Sequence, residues 1–529
     1  MKRFGTIFPF LEAGRQPRHI GRLVANHDFA QAILRYGDFD EFVFSNPTPS
    51  NLNVFADVVR TWGLSERRLS QVRFVPLPNL AGVLEADAFH VFHLGGWGWF
   101  MPGLHFLRAR HASNPWPITA VTHSLNGRDV IDNAVRVSHA QFAPYDAIFC
   151  TSRDGREALR RLLEGGAAIA GHAFAGHLEH LPLGIDDDLF ETSGDRARGR
   201  ARLKIDPDAV VLLVLGRITP FQKMDLGPVL RTLAHDILPR AGRTVCLLLA
   251  GSATADDLRL VKADVDRYDL ASHVRVHPNF PVDQKADVLA TADVLVSPVD
   301  NAQETFGLSL IEGMAAGLPV VASRFDGYKD LIDDGVDGFL IDTYWSALDP
   351  VEELFDLLDR DAAQLFQSQS VAIDLPQLAD RVLRLVQDPS LRASMGAAGR
   401  AKAAREYKWS RVVARYEACW NVLADQARTT GLVSAGEHLY NLGAGRIFSH
   451  YASHRVHRDE RLVAVGEGLD VRPYNETAVL LDHELLSRVH SKAANGATVT
   501  QLLEAAQAPE AQAWFAVQWL LKYGMLRRA

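Results

Sequence analysis

Two series of strand-length apolar segments follow each other along this 529-residue chain, and in each series they alternate with longer stretches of helical periodicity. Such alternation is typical of a parallel sheet covered by helices on both faces. A polar, charged, glycine-containing stretch interrupts it near residue 195. The sequence therefore predicts two doubly wound Rossmann-like α/β domains, over 1–195 and 196–400. The strand segments are FGTIFPF, EFVFS, VRFVPL, AFHVFHL, ITAVTHS and AIFCTS, then VVLLVLGR, TVCLLLAGS, VRVHPNF, DVLVSPV, PVVAS and GFLID.

The chain beyond the second domain follows a different pattern. A strongly helical segment covers 401–429, and residues 430–529 then lose the alternation of strands and helices. This last part reads as several helices with a turn at Asn495 and Gly496, and Thr498 is placed to cap the helix that follows. We expect a small, mostly helical or winged-helix-like accessory domain. It could bind a protein or peptide acceptor, self-associate or cover the core.

Composition and charge narrow the function classes. Sixty-four acidic residues against fifty-six basic ones leave a net charge of -8, so no global basic field favours nucleic acid. The apolar runs are too short for a transmembrane helix and the N-terminal run is too interrupted for a signal peptide, so a cytoplasmic location is expected. Peripheral membrane contact through local basic patches and a homo-oligomer both stay open.

Cysteine and histidine patterns give no clear metal site. Cys150, Cys246 and Cys419 lie far apart in apolar contexts and are interpreted as core residues in a reducing compartment. The spacing of His450, His454 and the histidine at 457 is compatible with one helical face. Without a neighbouring cysteine, a polar surface is favoured over a metal site there.

The stretch ETFGLSLIEGMAAG places two carboxylates in an otherwise apolar segment. A strand ends at Pro298, a polar loop follows, and Gly307 falls at the start of the next helix, where free amides and the helix dipole suit a phosphate. Glu304 lies in the loop and Glu312 inside the helix, so both can face one cleft at the carboxyl ends of the strands. The alternative is that both are solvated surface residues.

A second polar loop, GRITPFQK, follows the first strand of the second domain. After Gly216, Arg217 supplies a planar donor fork, and Lys223 supplies a mobile point charge six residues later. This combination is suited to a diphosphate. Two surface cations in an ordinary loop are the alternative interpretation.

Two strand ends of the first domain carry further candidates. His123 closes the strand in ITAVTHS, where it would face the cleft, although a histidine that caps a loop is the alternative. In AFHVFHLGGWGWF, His93, Trp97 and Trp99 are candidates to contact an acceptor. The two tryptophans could equally anchor the loop to the core.

These motifs together resemble one family. GRITPFQK, then ADVLVSPVDNAQETFGLSLIEGMAAGLPVVAS and DGVDGFLID, are similar to the donor domain of the GT-B retaining glycosyltransferases of family 4, also called glycosyl transferases group 1. Weaker similarity extends over roughly 1–427, including DAIFCTSRDGREAL and the helical segment AAREYKWSRVVARYEACW. The resemblance implies GT-B architecture, with an N-terminal acceptor domain and a C-terminal nucleotide-sugar donor domain facing a cleft.

The resemblance also implies a role for each matching residue. Arg217 and Lys223 would bind the donor diphosphate, Glu304 would hold hydroxyls of the donor sugar, and Glu312 would bind the ribose. The base would lie against the loop from His277 to Phe280. The candidate donor-binding residues are Gly14, Gly216, Arg217, Lys223, Asn279, Phe280, Glu304, Phe306, Gly307, Leu308 and Glu312, and the candidate catalytic residues are His123, Arg217, Lys223 and Glu304.

The family's reaction would move a hexosyl unit from a nucleoside-diphosphate sugar, a UDP-sugar first, to a hydroxyl acceptor, without metal or further cofactor and with retention of configuration. The stretch around Gly14 departs from the family's paired small residues. Two alternatives stay open, a nucleotide-sugar-binding scaffold or inactive homologue, and a sugar-nucleotide epimerase on the same fold. The base, the sugar and the acceptor are not encoded in these motifs.

Overall fold

The computed structural model describes residues 1–7, 21–46, 49–191, 194–346, 352–435 and 443–529. Two parallel sheets, each covered by helices, form the first 400 residues, and a small module of helices and short strands ends the chain. The predicted arrangement of two Rossmann-like domains with a helical C-terminal region is confirmed. Candidate residue Gly14 lies outside the described residues.

The first sheet has seven parallel strands in the order β3-β2-β1-β4-β5-β6-β7. Phe42, Val43 and Phe92 are fully buried because helices cover both faces of the sheet, which explains the continuous apolar strands. Its strands and helices are β1 Arg3–Ile7, α1 Gly21–Tyr36, β2 Glu41–Asn46, α2 Pro49–Arg60, α3 Glu66–Ser70, β3 Val72–Pro76, α4 Leu80–Ala86, β4 Val91–Leu94, α5 Met101–His111, β5 Ile118–Val121, α6 Arg128–His139, β6 Ala147–Cys150, α7 Arg153–Ala170 and β7 His177–His180.

The second sheet has six parallel strands in the order β10-β9-β8-β11-β12-β13. Its strand order reverses between β8 and β11, so their carboxyl ends frame the crevice in which such sheets bind ligands. Its strands and helices are α8 Arg196–Arg202, β8 Val210–Leu215, α9 Leu226–Thr232, β9 Val245–Gly251, α10 Ala255–Arg267, β10 Val274–Pro278, α11 Lys285–Thr291, β11 Val294–Ser297, α12 Leu308–Ala315, β12 Val320–Ser323, α13 Tyr328–Leu331 and β13 Gly338–Ile341.

A long excursion and two long helices follow this sheet. The excursion is closed at its base by an antiparallel pair of short strands, and the last helix crosses back to the first domain. There Trp420 is fully buried, and its indole nitrogen donates to the Thr119 hydroxyl at 3.0 Å. The elements are β14 Thr343–Trp345, α14 Arg360–Gln369, β15 Val371–Ile373, α15 Leu375–Gln387, α16 Pro389–Glu406 and α17 Trp409–Thr430.

The C-terminal module packs three helices on a three-stranded antiparallel sheet of order β17-β16-β18. Its own core includes Leu462, Leu486 and Leu520. The predicted cap is confirmed, since Thr498 and Gln501 form a reciprocal capping box. The elements are α18 Ala444–Ile447, β16 Arg461–Ala464, α19 Asn475–Ala478, α20 His483–Lys492, β17 Ala497–Thr498, α21 Val499–Ala506, α22 Glu510–Lys522 and β18 Leu526–Arg528.

Three simple observations complete the fold. Within the described ranges, no helix combines the length and apolarity needed to cross a bilayer. Cys150 and Cys246 are buried free thiols. His454 Nε2 donates a 2.9 Å hydrogen bond to the Glu460 carboxylate. The described part of the chain contains no group of three or more His, Cys, Asp or Glu side chains that could hold a metal ion.

Candidate functional site

The cations of the GRITPFQK loop lie at the carboxyl end of β8. Gly216 adopts a φ of 143°. A Cβ at Gly251 would come within 1.6 Å of the Gly216 carbonyl oxygen, so the ends of β8 and β9 lie in very close contact. The Arg217 guanidinium donates to the side-chain and main-chain oxygens of Gln222, the latter at 3.2 Å. Lys223 is only 8% exposed, which argues against the surface-cation interpretation.

Lys223 and Glu304 form an ion pair inside the cleft. The ammonium donates to Glu304 Oε2 and, at 3.1 Å, to the hydroxyl of Tyr328. The same hydroxyl lies 2.9 Å from Ser297 Oγ at the end of β11. Because a buried charge is costly unless it is paired and hydrogen-bonded, the charges of Lys223 and Glu304 depend on each other.

The pKa shifts agree with a charged pair. Burial alone would raise the pKa of Glu304, but the Lys223 ammonium lowers it below the ordinary value. For Lys223, burial opposes the charge, yet Glu304 and Tyr328 raise its pKa above the ordinary value. Burial raises the pKa of Tyr328 to about 12. Lysine and glutamate are therefore both ionised and the tyrosine is neutral near pH 7.

The start of α12 faces the same cluster. Gly307 adopts a φ of 114°, and a Cβ there would lie 2.6 Å from the Tyr328 ring, so glycine is required on both counts. The amides of Leu310 and Ile311 donate to the Gly307 carbonyl. The amides of Leu308 and Ser309, at the first two positions of the helix, have no helical partner and are left to bind an anion. The hydroxyl of Ser309 is buried without a hydrogen-bond partner in the structure. Phe306 donates its amide to Glu304 Oε1 at 3.4 Å.

Glu312 has a separate lysine partner. Its carboxylate accepts a hydrogen bond from Lys285, the first residue of α11. Asp28 of the first domain senses both: burial raises its pKa to about 7, Lys285 lowers it and Glu312 raises it. The side chain of Glu312 is 11% exposed, which does not fit the solvated-surface interpretation.

The predicted base-binding loop is held by a ring stack and by hydrogen bonds, and it is partly exposed. The His277 and Phe280 rings stack 5.2 Å apart with an interplanar angle of 8°. Asn279, at a φ of 53°, exchanges two hydrogen bonds with the main chain of Ala253, at 2.9 and 3.1 Å. Asn279 is exposed, and the two stacked rings beside it are half-buried.

The first domain places His123 among fixed polar groups. Its Nε2 lies 2.9 Å from the Gly95 carbonyl and 3.2 Å from Asn26 Oδ1, so both partners are acceptors. Nε2 consequently carries the ring proton and Nδ1 presents a lone pair. Burial lowers the pKa of His123 to about 4, despite the Gly95 carbonyl, which raises it. The ring is neutral at pH 7.

Hydrogen bonds link the His123 loop of the first domain to the Glu304 loop of the second domain. The hydroxyl of Thr151, after β6, donates to the carbonyl of Thr305, beside Glu304, at 3.3 Å. The amide of Thr151 in turn donates to the hydroxyl of Thr122, next to His123, at 3.4 Å. These contacts bring the His123 loop and the Glu304 loop to the same crevice.

The expectation for the acceptor contacts needs correction. His93 is 1% exposed, bonds to Thr119 Oγ1 at 2.9 Å and packs among the rings of Phe149 and Trp420. It is a core residue, because β4 points it into the aromatic layer under α17. Trp97 is also buried at 4% exposure, so the core-anchor alternative holds for it.

Trp99 is the exposed member of this group, at 60%, and its carbonyl accepts a hydrogen bond from Arg136 on α6 at 3.4 Å. Of the three acceptor candidates it alone presents a large open surface. Sequence reasoning missed four residues that complete the site, Asn26, Lys285, Ser297 and Tyr328. Only strand-end positions pointed to any of them, since Ser297 ends β11.

The sequence of this chain is similar to those of glycosyltransferases. Residues 195–365 match the model of the family described as Glycosyl transferases group 1. A D-inositol 3-phosphate glycosyltransferase of Catenulispora acidiphila is 32% identical over 277 residues, which cover 50% of this chain and 62% of the relative. Another, from Segniliparus rotundus, is 32% identical over 212 residues, which cover 36% of this chain and 46% of the relative. The chain thus spans less than two thirds of these relatives' length.

Solved structures show the fold. HepE of Anabaena in complex with UDP superposes with a TM-score of 0.52 at 16% identity, covering 79% of this chain and 99% of HepE. Sucrose-phosphate synthase of Thermosynechococcus elongatus gives a TM-score of 0.54 at 17% identity, covering 80% of this chain and 100% of that enzyme. This chain therefore has the two-domain glycosyltransferase fold, and its residues 195–365 match glycosyl transferases group 1.

Proposed function

We propose that this chain is a glycosyltransferase that moves a hexosyl unit from a nucleoside-diphosphate sugar to an acceptor hydroxyl. The observation that carries the proposal is the ion pair of Lys223 with Glu304 of the loop before α12, whose side chains are 10% and 19% exposed. This pair lies inside the segment that matches glycosyl transferases group 1. The UDP complex of HepE supports a UDP-sugar as the first donor to test.

In the proposed reaction the cationic residues bind the diphosphate and the carboxylates bind hydroxyl groups of the donor. Cleavage of the bond between the sugar C1 and the phosphate oxygen sends its electron pair to the diphosphate. Lys223, Arg217 and the α12 amides stabilise that negative charge without reorganisation. Glu304 accepts hydrogen bonds from sugar hydroxyls, and Glu312 does the same for the ribose hydroxyls. The new bond forms between C1 and the acceptor oxygen.

Retention and metal independence complete the proposal. The acceptor attacks C1 on the face that the diphosphate leaves, and its hydroxyl proton passes to the leaving phosphate oxygen. In this scheme Glu304 binds and does not attack. Two fixed cations and a helix start supply the charge stabilisation that a metal supplies elsewhere. We expect no cofactor beyond the nucleotide sugar.

Donor turnover tests the proposal directly. Purified protein is incubated with UDP-, GDP- and ADP-sugars, with and without candidate hydroxyl acceptors, and the released nucleoside diphosphate is measured together with the configuration of the product. We expect one donor to turn over and to give a product with unchanged anomeric configuration. Binding without release of diphosphate from any donor and acceptor would contradict the proposal and favour a binding protein.

Chelation tests the metal-independent part. We expect turnover in about a tenfold molar excess of EDTA over protein to equal turnover in its absence. Lys223 and Arg217 neutralise the diphosphate charge that a metal ion would otherwise neutralise. Restoration of lost activity by Mg²⁺ or Mn²⁺ would contradict it. Unchanged unfolding temperature in EDTA serves as the control for a structural ion.

His123 gives a prediction with a distinct pH signature. In the proposed function its Nδ1 lone pair accepts a hydrogen bond from a donor-sugar hydroxyl, so His123→Ala is expected to lower kcat/KM about 10- to 100-fold at pH 7. Since burial lowers the pKa of His123 to about 4, the ring stays neutral and kcat/KM is not governed by it between pH 5 and 8. An acidic limb near pH 6.5 that disappears in His123→Ala would show instead that the ring titrates during turnover.

A further inference from the structure

Tyr328 lies at the centre of the site although no motif pointed to it. It is the first residue of α13 and is fully buried. Its hydroxyl is 3.1 Å from Lys223 Nζ and 2.9 Å from Ser297 Oγ. The tyrosine thus connects the cation of one loop to the fixed end of β11.

The direction of these hydrogen bonds follows from the groups. An ammonium can only donate, so the Tyr328 oxygen accepts from Lys223. The tyrosine proton is then available to the Ser297 oxygen. Ser297 is 1% exposed and is the last residue of β11, so the sheet fixes the position of this hydrogen-bond partner of Tyr328.

Both domains hold the segment that carries Tyr328. Its ring fills the space where a side chain at Gly307 would lie. On the other side, Asp330 accepts the amide of Arg153 at 2.6 Å and Lys329 pairs with Asp154, both at the start of α7. The hydroxyl of Tyr328 therefore keeps its place independently of Lys223.

We propose that Tyr328 is a positioning residue that keeps the Lys223 ammonium directed at the donor diphosphate. The inference rests on the proposed function. Lys223 has two oxygen partners, and one of them, Glu304, is shared with the sugar hydroxyls in the proposed function. Tyr328 is then the remaining protein partner of the ammonium, and it limits where Lys223 can go. One proton of the ammonium stays free for phosphate.

A double-mutant cycle separates this role from simple packing. Wild type, Tyr328→Phe, Lys223→Ala and the double variant are titrated calorimetrically with UDP, GDP and ADP. With Lys223 present, Tyr328→Phe is expected to weaken binding of the best diphosphate about tenfold. In the Lys223→Ala background the same change is expected to alter Kd by less than about twofold. The phenylalanine keeps the ring against Gly307.

Tyr416→Phe is the matched control. Tyr416 is equally buried, but its hydroxyl has no hydrogen-bond partner in the structure, so its removal should leave the diphosphate Kd unchanged. An equal loss from Tyr328→Phe in both backgrounds, or no loss in either, would overturn the positioning role. If wild type binds no diphosphate, the proposed function fails and this inference with it. If wild type binds and Lys223→Ala binds equally well, the role of Lys223 is the part that fails.

Discussion

Replacement of Lys223 by alanine is expected to reduce kcat/KM for the donor by about 10²- to 10³-fold. This is the range found when a fixed group that stabilises developing charge is removed. Lys223 is almost fully buried beside Glu304, so water cannot easily replace its charge. Diphosphate binding should weaken in the same variant, because the lost contact also acts on the product. The measurements are turnover of the donor and calorimetric titration with UDP.

The same substitution also destabilises the fold, and a control must account for that. Loss of Lys223 leaves Glu304 buried without its cation, which typically costs about 3–5 kcal/mol. Lys402 offers a match: it is 6% exposed and pairs with Asp333 at 3.0 Å and Asp337 at 3.5 Å. Lys402→Ala should lower the unfolding temperature comparably, yet leave kcat/KM of the folded protein unchanged. Equal activity losses in both variants would show that Lys223 acts through stability alone.

The sequence predicted the sheets well because parallel strands carry a strong signal. Each of the twelve strand segments quoted above overlaps a strand of the two sheets within the described residues. The strand His177–His180 was missed because it is an edge strand of half-buried, mostly polar residues, HLEH, without an apolar run. The C-terminal strands were missed for a similar reason: they contain two to four residues each, too few to show alternation.

Part of the site could not be read from the sequence because it depends on partners far along the chain. Glu304 and Lys223 were both recognised, but their pairing joins residues 81 positions apart. Tyr328 was missed because its role exists only where α13 packs on Gly307. His93 was misassigned because a strand-end histidine looks the same in sequence whether it faces the cleft or, as here, the aromatic layer under α17.

The second large expected effect is that of Glu304→Gln. Unlike Lys223→Ala, it should lower turnover without weakening the binding of UDP. Glu304→Gln keeps the size of the side chain but removes its charge. Because the carboxylate accepts sugar hydroxyls in the proposed function, we expect donor turnover to fall about 10²- to 10³-fold. Binding of UDP alone should stay equal or become tighter, since a negative charge near the diphosphate has been removed. Lower turnover without any loss of diphosphate affinity is therefore the signature.

Glu312→Gln is the matched comparison, because the two carboxylates lie eight residues apart and each has its own lysine partner. Its expected loss is in nucleotide affinity, about 10- to 100-fold for UDP as well as for the UDP-sugar, since the ribose is common to both. Comparison of the two variants thus distinguishes the residue that contacts the donor sugar from the residue that contacts the ribose. If Glu304→Gln weakened UDP as much as the sugar nucleotide, Glu304 would be a nucleotide contact and the sugar would have to lie elsewhere in the crevice. If Glu312→Gln affected only turnover, the assignments of the two glutamates would be reversed.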